Sequence, residues 1–168
     1  MAGLSDNERK NDYFISPSKG PILFESVVDD VIDFVNEEPN FNYAVVVGTD
    51  SEQFNGSAEF VSVITVHRVG KHGRYFWKKI KDIKTYDRHD RILKEAFFSL
   101  ELAQRLVALL RKKLDGRLYE FEIHLDIGQS GPSRLMINEI VGMINGNGFK
   151  ARIKPEAYAA TKVADRHV

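Results

Sequence analysis

The chain of 168 residues contains no cysteine, which excludes a disulfide framework and a thiolate metal site. Its formal net charge is zero, from 24 basic and 24 acidic residues, so no overall field draws it to nucleic acid or an anionic membrane. No apolar run approaches the roughly 20 residues that a membrane-spanning helix needs. Residues 1–11 are polar and lack the apolar core of a secretory signal, which makes the cytoplasm the expected compartment, with no membrane partner. No glycine-rich P-loop and no Ser-His-Asp order occur, so Walker-type nucleotide binding and triad chemistry find no support. The five histidines show no pair at metal-ligand spacing. Internal repeats and low-complexity tracts are also missing, and the length suits one domain.

What is present is charge sorted along the chain. Between Ile22 and Glu59 there are nine acidic residues and no Lys or Arg, whereas Arg68 to Lys94 holds ten basic residues against Asp82, Asp87 and Asp90. A neutral total can thus hide an acidic side and a basic side, or solvated faces whose charges cancel at close range.

Hydrophobic spacing divides the chain into elements. Residues 1–20 read as a flexible polar arm, and 21–168 as the folded domain. Leu23, Val27, Val28, Val31, Ile32 and Val35 recur at helical spacing, and that helix stops near Pro39. Tyr43 to Gly48 is a β-branched run suited to a strand buried on both faces, leading into Thr49-Asp50-Ser51. Strands near Phe60–His67 and Arg74–Ile80 follow across short turns, which favour antiparallel neighbours. A long helix from about His89 to Lys113 comes next, then the strand Tyr119–Leu125. A helix from about Ser133 to Asn145, a short strand from Phe149 to Lys154 and a last helix from Glu156 complete the order. This pattern predicts an α/β fold with a five-stranded mixed sheet, helices on both faces and an extra N-terminal helix.

Two aspartates each follow a strand, Asp50 and Asp126. In open α/β sheets ligands gather beyond the carboxyl ends of strands. If those strands are adjacent and parallel, both carboxylates leave the same end and would repel each other unless a cation sat between them. Hard divalent ions, Mg²⁺ or Mn²⁺, favour oxygen donors of this kind; the alternative is that each Asp caps a turn. On the long helix, Glu95 and Ser99 fall within the stripe formed by Ile92, Ala96, Ala103, Leu106 and Leu110, so Glu95 turns toward the core. Glu101 falls on the opposite face, where an i,i+4 pair with Arg105 accounts for it. Asp165 stands near the end of the last helix, where the dipole disfavours an anion and a bound cation would offset it.

The element order, with Gly48-Thr-Asp-Ser51, His124-Leu-Asp-Ile-Gly128 followed by Ser133, and Lys154-Pro-Glu-Ala-Tyr-Ala-Ala160 running into Ala164-Asp165, resembles the YkuK family of ribonuclease H-like proteins. The resemblance covers roughly residues 15–168 and implies a ribonuclease H-like fold with a metal-dependent nuclease site. Asp50, Glu95, Asp126 and Asp165 correspond to its four catalytic and metal-binding carboxylates. Ala160-Thr161 stand where ribonucleases H carry Asn-Glu, and Lys154-Pro155 near the place of a loop histidine. The implied cofactor is a pair of Mg²⁺ or Mn²⁺ ions about 3.5–4 Å apart, with Asp50 bridging, Glu95 and Asp126 completing one site and Asp165 the other. Ser51, Ser99 and Gln129 would donate to those carboxylates, and Lys154 would meet the phosphate or remain a surface lysine.

The implied partner is nucleic acid, acted on by a monomer or homodimer. Tyr75, Phe76, Trp77 and Tyr86 within the basic stretch would stack bases, or serve as core and sheet surface. Three expectations stand side by side: a two-metal nuclease, a non-catalytic nucleic-acid- or protein-binding module retaining the fold, and a dimeric junction resolvase.

Overall fold

The computed structural model describes residues 12–114, 119–159 and 167. A short antiparallel hairpin, β1 (Tyr13–Ser16) and β2 (Gly20–Leu23), opens the chain and leads directly into α1 (Phe24–Glu37). The arm expected over residues 1–20 therefore ends earlier than its composition implies. Pro21 lies in β2, an outermost strand of the sheet, where a missing N–H costs no ladder bond. Helix α1 buries Phe24, Val27, Val28, Val31, Phe34 and Val35, one stripe at helical spacing.

The centre of the molecule is a meander: β3 (Tyr43–Phe54), β4 (Ser57–Arg68) and β5 (Gly73–Asp82), each antiparallel to its neighbour. Asn55 and Gly56 turn β3 into β4 with φ of 49° and 79°, the positive pair that a tight hairpin turn requires. Helix α2 (Arg88–Lys113) follows, its first turn capped by Asp87, whose Oδ1 accepts the Asp90 N–H at 2.8 Å. The chain then returns to the middle of the sheet as β6 (Glu120–His124), parallel to β3. A 3₁₀ turn (Pro132–Met136) precedes α3 (Ile137–Gly146), and β7 (Lys150–Arg152) runs parallel to β6.

The sheet has seven strands in the order β2-β1-β5-β4-β3-β6-β7. Five of these match the expected sheet; the N-terminal hairpin adds the other two at the β5 edge through Ile15 opposite Trp77. Helices α1, α2 and α3 all pack on one face, over Val45, Val47, Ile64, Val66 and Ile123. Among the described residues no helix covers the other face, and the last helix expected from Glu156 falls largely outside them. That second face carries Val61, Val63, Tyr75 and Trp77, with Tyr158 against His124 and the His167 ring stacked on Trp77 at 4.1 Å. No described helix is long and apolar enough to cross a membrane.

Candidate metal centre

Asp50 is not the strand-ending residue that the polarity of Thr49–Gln53 implies. Strand β3 continues to Phe54, and Asp50 lies within it opposite Val61 of β4. A turn-capping role for Asp50 is thereby excluded. Strands β3 and β6 are parallel neighbours with Gly48 opposite His124, and Asp50 and Asp126 each stand two residues beyond that pair. The two carboxylates accordingly leave the same end of the sheet, both half-buried.

Helix α2 crosses the opposite side of β3 and brings Glu95 to this end. Glu95 is 8% exposed, and its Oε1 accepts a short hydrogen bond from the Ser51 hydroxyl. Burial pushes its carboxyl up from 4.5 to about 8; the Ser51 hydrogen bond opposes that rise, Asp50 and Asp126 add to it, and Arg91 opposes it. One turn further along α2, the buried Ser99 hydroxyl donates to Thr49 Oγ1 at 3.0 Å, and Thr49 shares a 2.8 Å hydrogen bond with Ser62. Ser99 thus braces β3 beneath the site instead of touching a carboxylate. Glu101 lies on the exposed face of α2, but Arg105 pairs with Asp12 at 2.7 Å, not with Glu101 as the spacing implied.

Asp126 has a different companion. The Lys154 ammonium lies 2.5 Å from its Oδ1, an ion pair whose angles do not make a hydrogen bond, so that buried oxygen has no directed donor. The Lys154 N–H to Ile127 O bond at 2.9 Å extends the β6–β7 pairing and holds the lysine opposite Asp126. Gln129 is exposed on the loop after Asp126. Asp165 lies outside the described residues.

Composition and spacing did not single out the network behind Asp126. Glu122 and His124 alternate along β6, a period of two that puts them on one face, and Asp126 follows two residues after His124. Glu122 takes Arg152 Nε at 3.0 Å, Lys150 Nζ at 3.3 Å and His124 Nε2 at 3.0 Å. The other ring nitrogen of His124 accepts the N–H groups of Tyr158 at 3.0 Å and Ala159 at 3.4 Å. Burial holds the imidazole below its ordinary pKa despite Glu122, which keeps that nitrogen free to accept.

Part of the basic stretch is tied to acidic side chains. Arg68, 2% exposed, is tied to Glu37 and Glu38; Arg74 pairs with Glu37, Lys79 with Glu59 and Lys94 with Asp82. Phe76 is core, Trp77 lies under His167, and Tyr86 donates to Asp82 at 2.5 Å.

All donors at the sheet end are carboxylate oxygens, one of them lacking a directed hydrogen bond, and they repel one another. That set fits a hard divalent ion. Their ligand atoms are not drawn together as a preformed cage. Among the described residues the group whose ligand atoms all lie within 4.8 Å is Asp87, His89 and Asp90, fully on the surface, where Asp87 already serves as the α2 cap.

The Ribonuclease H-like family matches residues 26–168, and the chain belongs to that family. It is a YkuK-type member: it is 30% identical over 167 residues to "Uncharacterized protein YkuK" of Bacillus subtilis (strain 168), covering 91% of this chain and 95% of that protein. No solved structure matches the chain.

Proposed function

We propose that this chain is a divalent-metal-dependent nuclease that hydrolyses phosphodiester bonds in RNA, RNA–DNA hybrid or structured DNA. Asp50, Glu95, Asp126 and Asp165 would hold Mg²⁺ or Mn²⁺. The observation that carries the reading is Glu95, a buried carboxyl held by Ser51 at the end of the sheet where Asp50 and Asp126 emerge from parallel neighbouring strands. Three carboxylates at one end of the sheet repel one another, which a cation relieves. A bound divalent ion would polarise the phosphate and generate hydroxide from water near neutral pH. The chain's own residues supply the frame. Ser51 keeps the Glu95 carboxyl turned to the sheet end, the Thr49–Ser99 hydrogen bond fixes α2 against β3, and the β6–β7 pairing sets Lys154 beside Asp126. The decisive assay is cleavage of labelled single strands, duplexes, hybrid and a four-way junction with Mn²⁺, beside Asp50→Asn. Cleavage lost in that variant is expected; cleavage untouched by it would refute the site.

One observation favours a non-catalytic binding module of the same fold: the Lys154–Asp126 ion pair occupies one of the carboxylates. Calorimetric titration with Mn²⁺ separates the two readings. The nuclease takes up the ion with displacement of the ammonium, and the module shows no binding at millimolar metal.

A further inference from the structure

The three described carboxylates that would hold a metal also repel a phosphodiester, so a nuclease built on them needs cations of its own near the attack point. Lys154 serves one side, at Asp126. On the other side stands Arg91. It lies in the first turn of α2, four residues before Glu95, and residues so spaced are neighbours on a helix face. Side chains on a helix lean toward its N-terminus, which carries Glu95 toward the turn that bears Arg91. The guanidinium is close enough to stabilise the Glu95 carboxylate electrostatically, against the effect of Asp50 and Asp126.

Two further observations set Arg91 apart from five other cations of the basic stretch. Arg68, Lys71, Arg74, Lys79 and Lys94 are each tied to an acidic side chain elsewhere in the fold. In Arg91 the Nε is buried and has no hydrogen-bond partner, an uncommon state for a guanidinium N–H. An arginine with an N–H to spare suits an oxyanion, because its planar fork matches two oxygens of a phosphate better than an ammonium does.

From this arrangement we infer that Arg91 is a phosphate-binding residue of the centre: it stands one helical turn before Glu95, and its guanidinium engages a non-bridging phosphodiester oxygen when a divalent ion occupies the carboxylates. The inference rests on the nuclease reading and adds a substrate contact to it. With metal on the carboxylates, the guanidinium's positive charge faces the incoming anion. Lys154 does the same at Asp126, so the phosphate enters between two cations.

The test compares wild type, Arg91→Ala and Arg91→Lys for binding of fluorescein-labelled single-stranded RNA and RNA–DNA hybrid. Binding is followed by anisotropy across a salt series with Ca²⁺ present to hold the site without turnover. Arg91→Ala is expected to weaken metal-supported binding about tenfold and to lower the salt slope by about one, with Arg91→Lys recovering part of both. Unchanged affinity and slope in Arg91→Ala overturn the inference, as does a weakening that leaves the slope unaltered and is not rescued by lysine. Absence of metal-supported binding to either probe by wild type overturns it too. The nuclease reading is judged separately, by Asp50→Asn on Mn²⁺-dependent cleavage: wild-type cleavage abolished by that change, with Arg91→Ala still binding normally, removes Arg91 alone.

Discussion

Glu95→Gln in chelated, metal-free protein isolates the electrostatic strain of the centre. In the unfolded chain Glu95 titrates near its ordinary 4.5; in the folded chain burial moves it to about 8. Between those values the folded state holds a proton that the unfolded state has released. Its stability is therefore greatest below about pH 4.5, falls as pH rises through the interval and levels off above about 8. Each pH unit is worth about 1.4 kcal/mol, which sets a ceiling on the order of 4 kcal/mol between about pH 5 and about pH 8. Water reaching the ionised carboxyl reduces that, and about 2 kcal/mol is the working expectation. Glutamine cannot ionise, yet it still offers an oxygen to the Ser51 hydroxyl, so the shape and the hydrogen bond are kept. Urea unfolding followed by circular dichroism at several pH values gives the stability of both proteins. The variant should gain on wild type by about 2–4 kcal/mol across the interval, whatever the other groups contribute to both. A difference that stays flat to within about 0.5 kcal/mol would show that Glu95 ionises freely, and the argument for a strained carboxylate site would fail.

Other outcomes follow from the same geometry. Binding of Mn²⁺ must displace the Glu95 proton, so its affinity should rise by up to about tenfold per unit from about pH 6 to about pH 8, with proton release measurable by calorimetry in buffers of different ionisation enthalpy. Lys154→Met removes the ammonium beside Asp126 and should tighten Mn²⁺ binding several-fold; weaker binding would mean that the lysine supports the metal. Burial lowers the pKa of His124, so wild type loses stability as pH falls below about 6.5, where the unfolded histidine takes a proton that the folded one refuses. His124→Asn should flatten that acid limb in thermal melts. Leu106→Ala, at a site with no exposure, should cost about 2–5 kcal/mol, whereas Glu101→Ala on the outer face of the same helix should stay within about 0.5 kcal/mol.

The parts legible in the sequence were those where one local signal decides the outcome. The β-branched run at Val45–Val47 marks the central strand, and the stripe through Ile92, Ala96, Ala103 and Leu106 separates Glu95 from Glu101 on spacing alone. Polar residues directly after an apolar run look like the end of a strand, which is why the sequence alone points to Asp50 as strand-ending. In fact β4 supplies Ser62 opposite Thr49 and the ladder continues through the polar residues. The N-terminal hairpin was missed because Pro17, Pro21 and short strands look like loop, and only a neighbouring edge at Trp77 makes them sheet. The Arg105–Asp12 pair joins groups far apart in the chain, and nearest-neighbour spacing favoured Glu101 instead. The same limit hid the Glu122–His124 network, whose partners on β7 and at Tyr158 are brought in by the fold.

The return of the chain to the middle of the sheet has a temporal consequence. Strands β3, β4 and β5 are joined by tight turns and can zip together as soon as they are made, whereas β6 must first span α2 before it pairs with β3. Closing so long a loop is slow relative to forming hairpins. Asp126 therefore meets Asp50 and Glu95 late, and mutual repulsion of the acids burdens the last docking step, not the first. A divalent ion should accelerate that step and leave the meander untouched. Pulse-labelled hydrogen exchange would reveal it as early protection of β4 amides with metal-sensitive protection of β6; simultaneous protection of both would rule out this order.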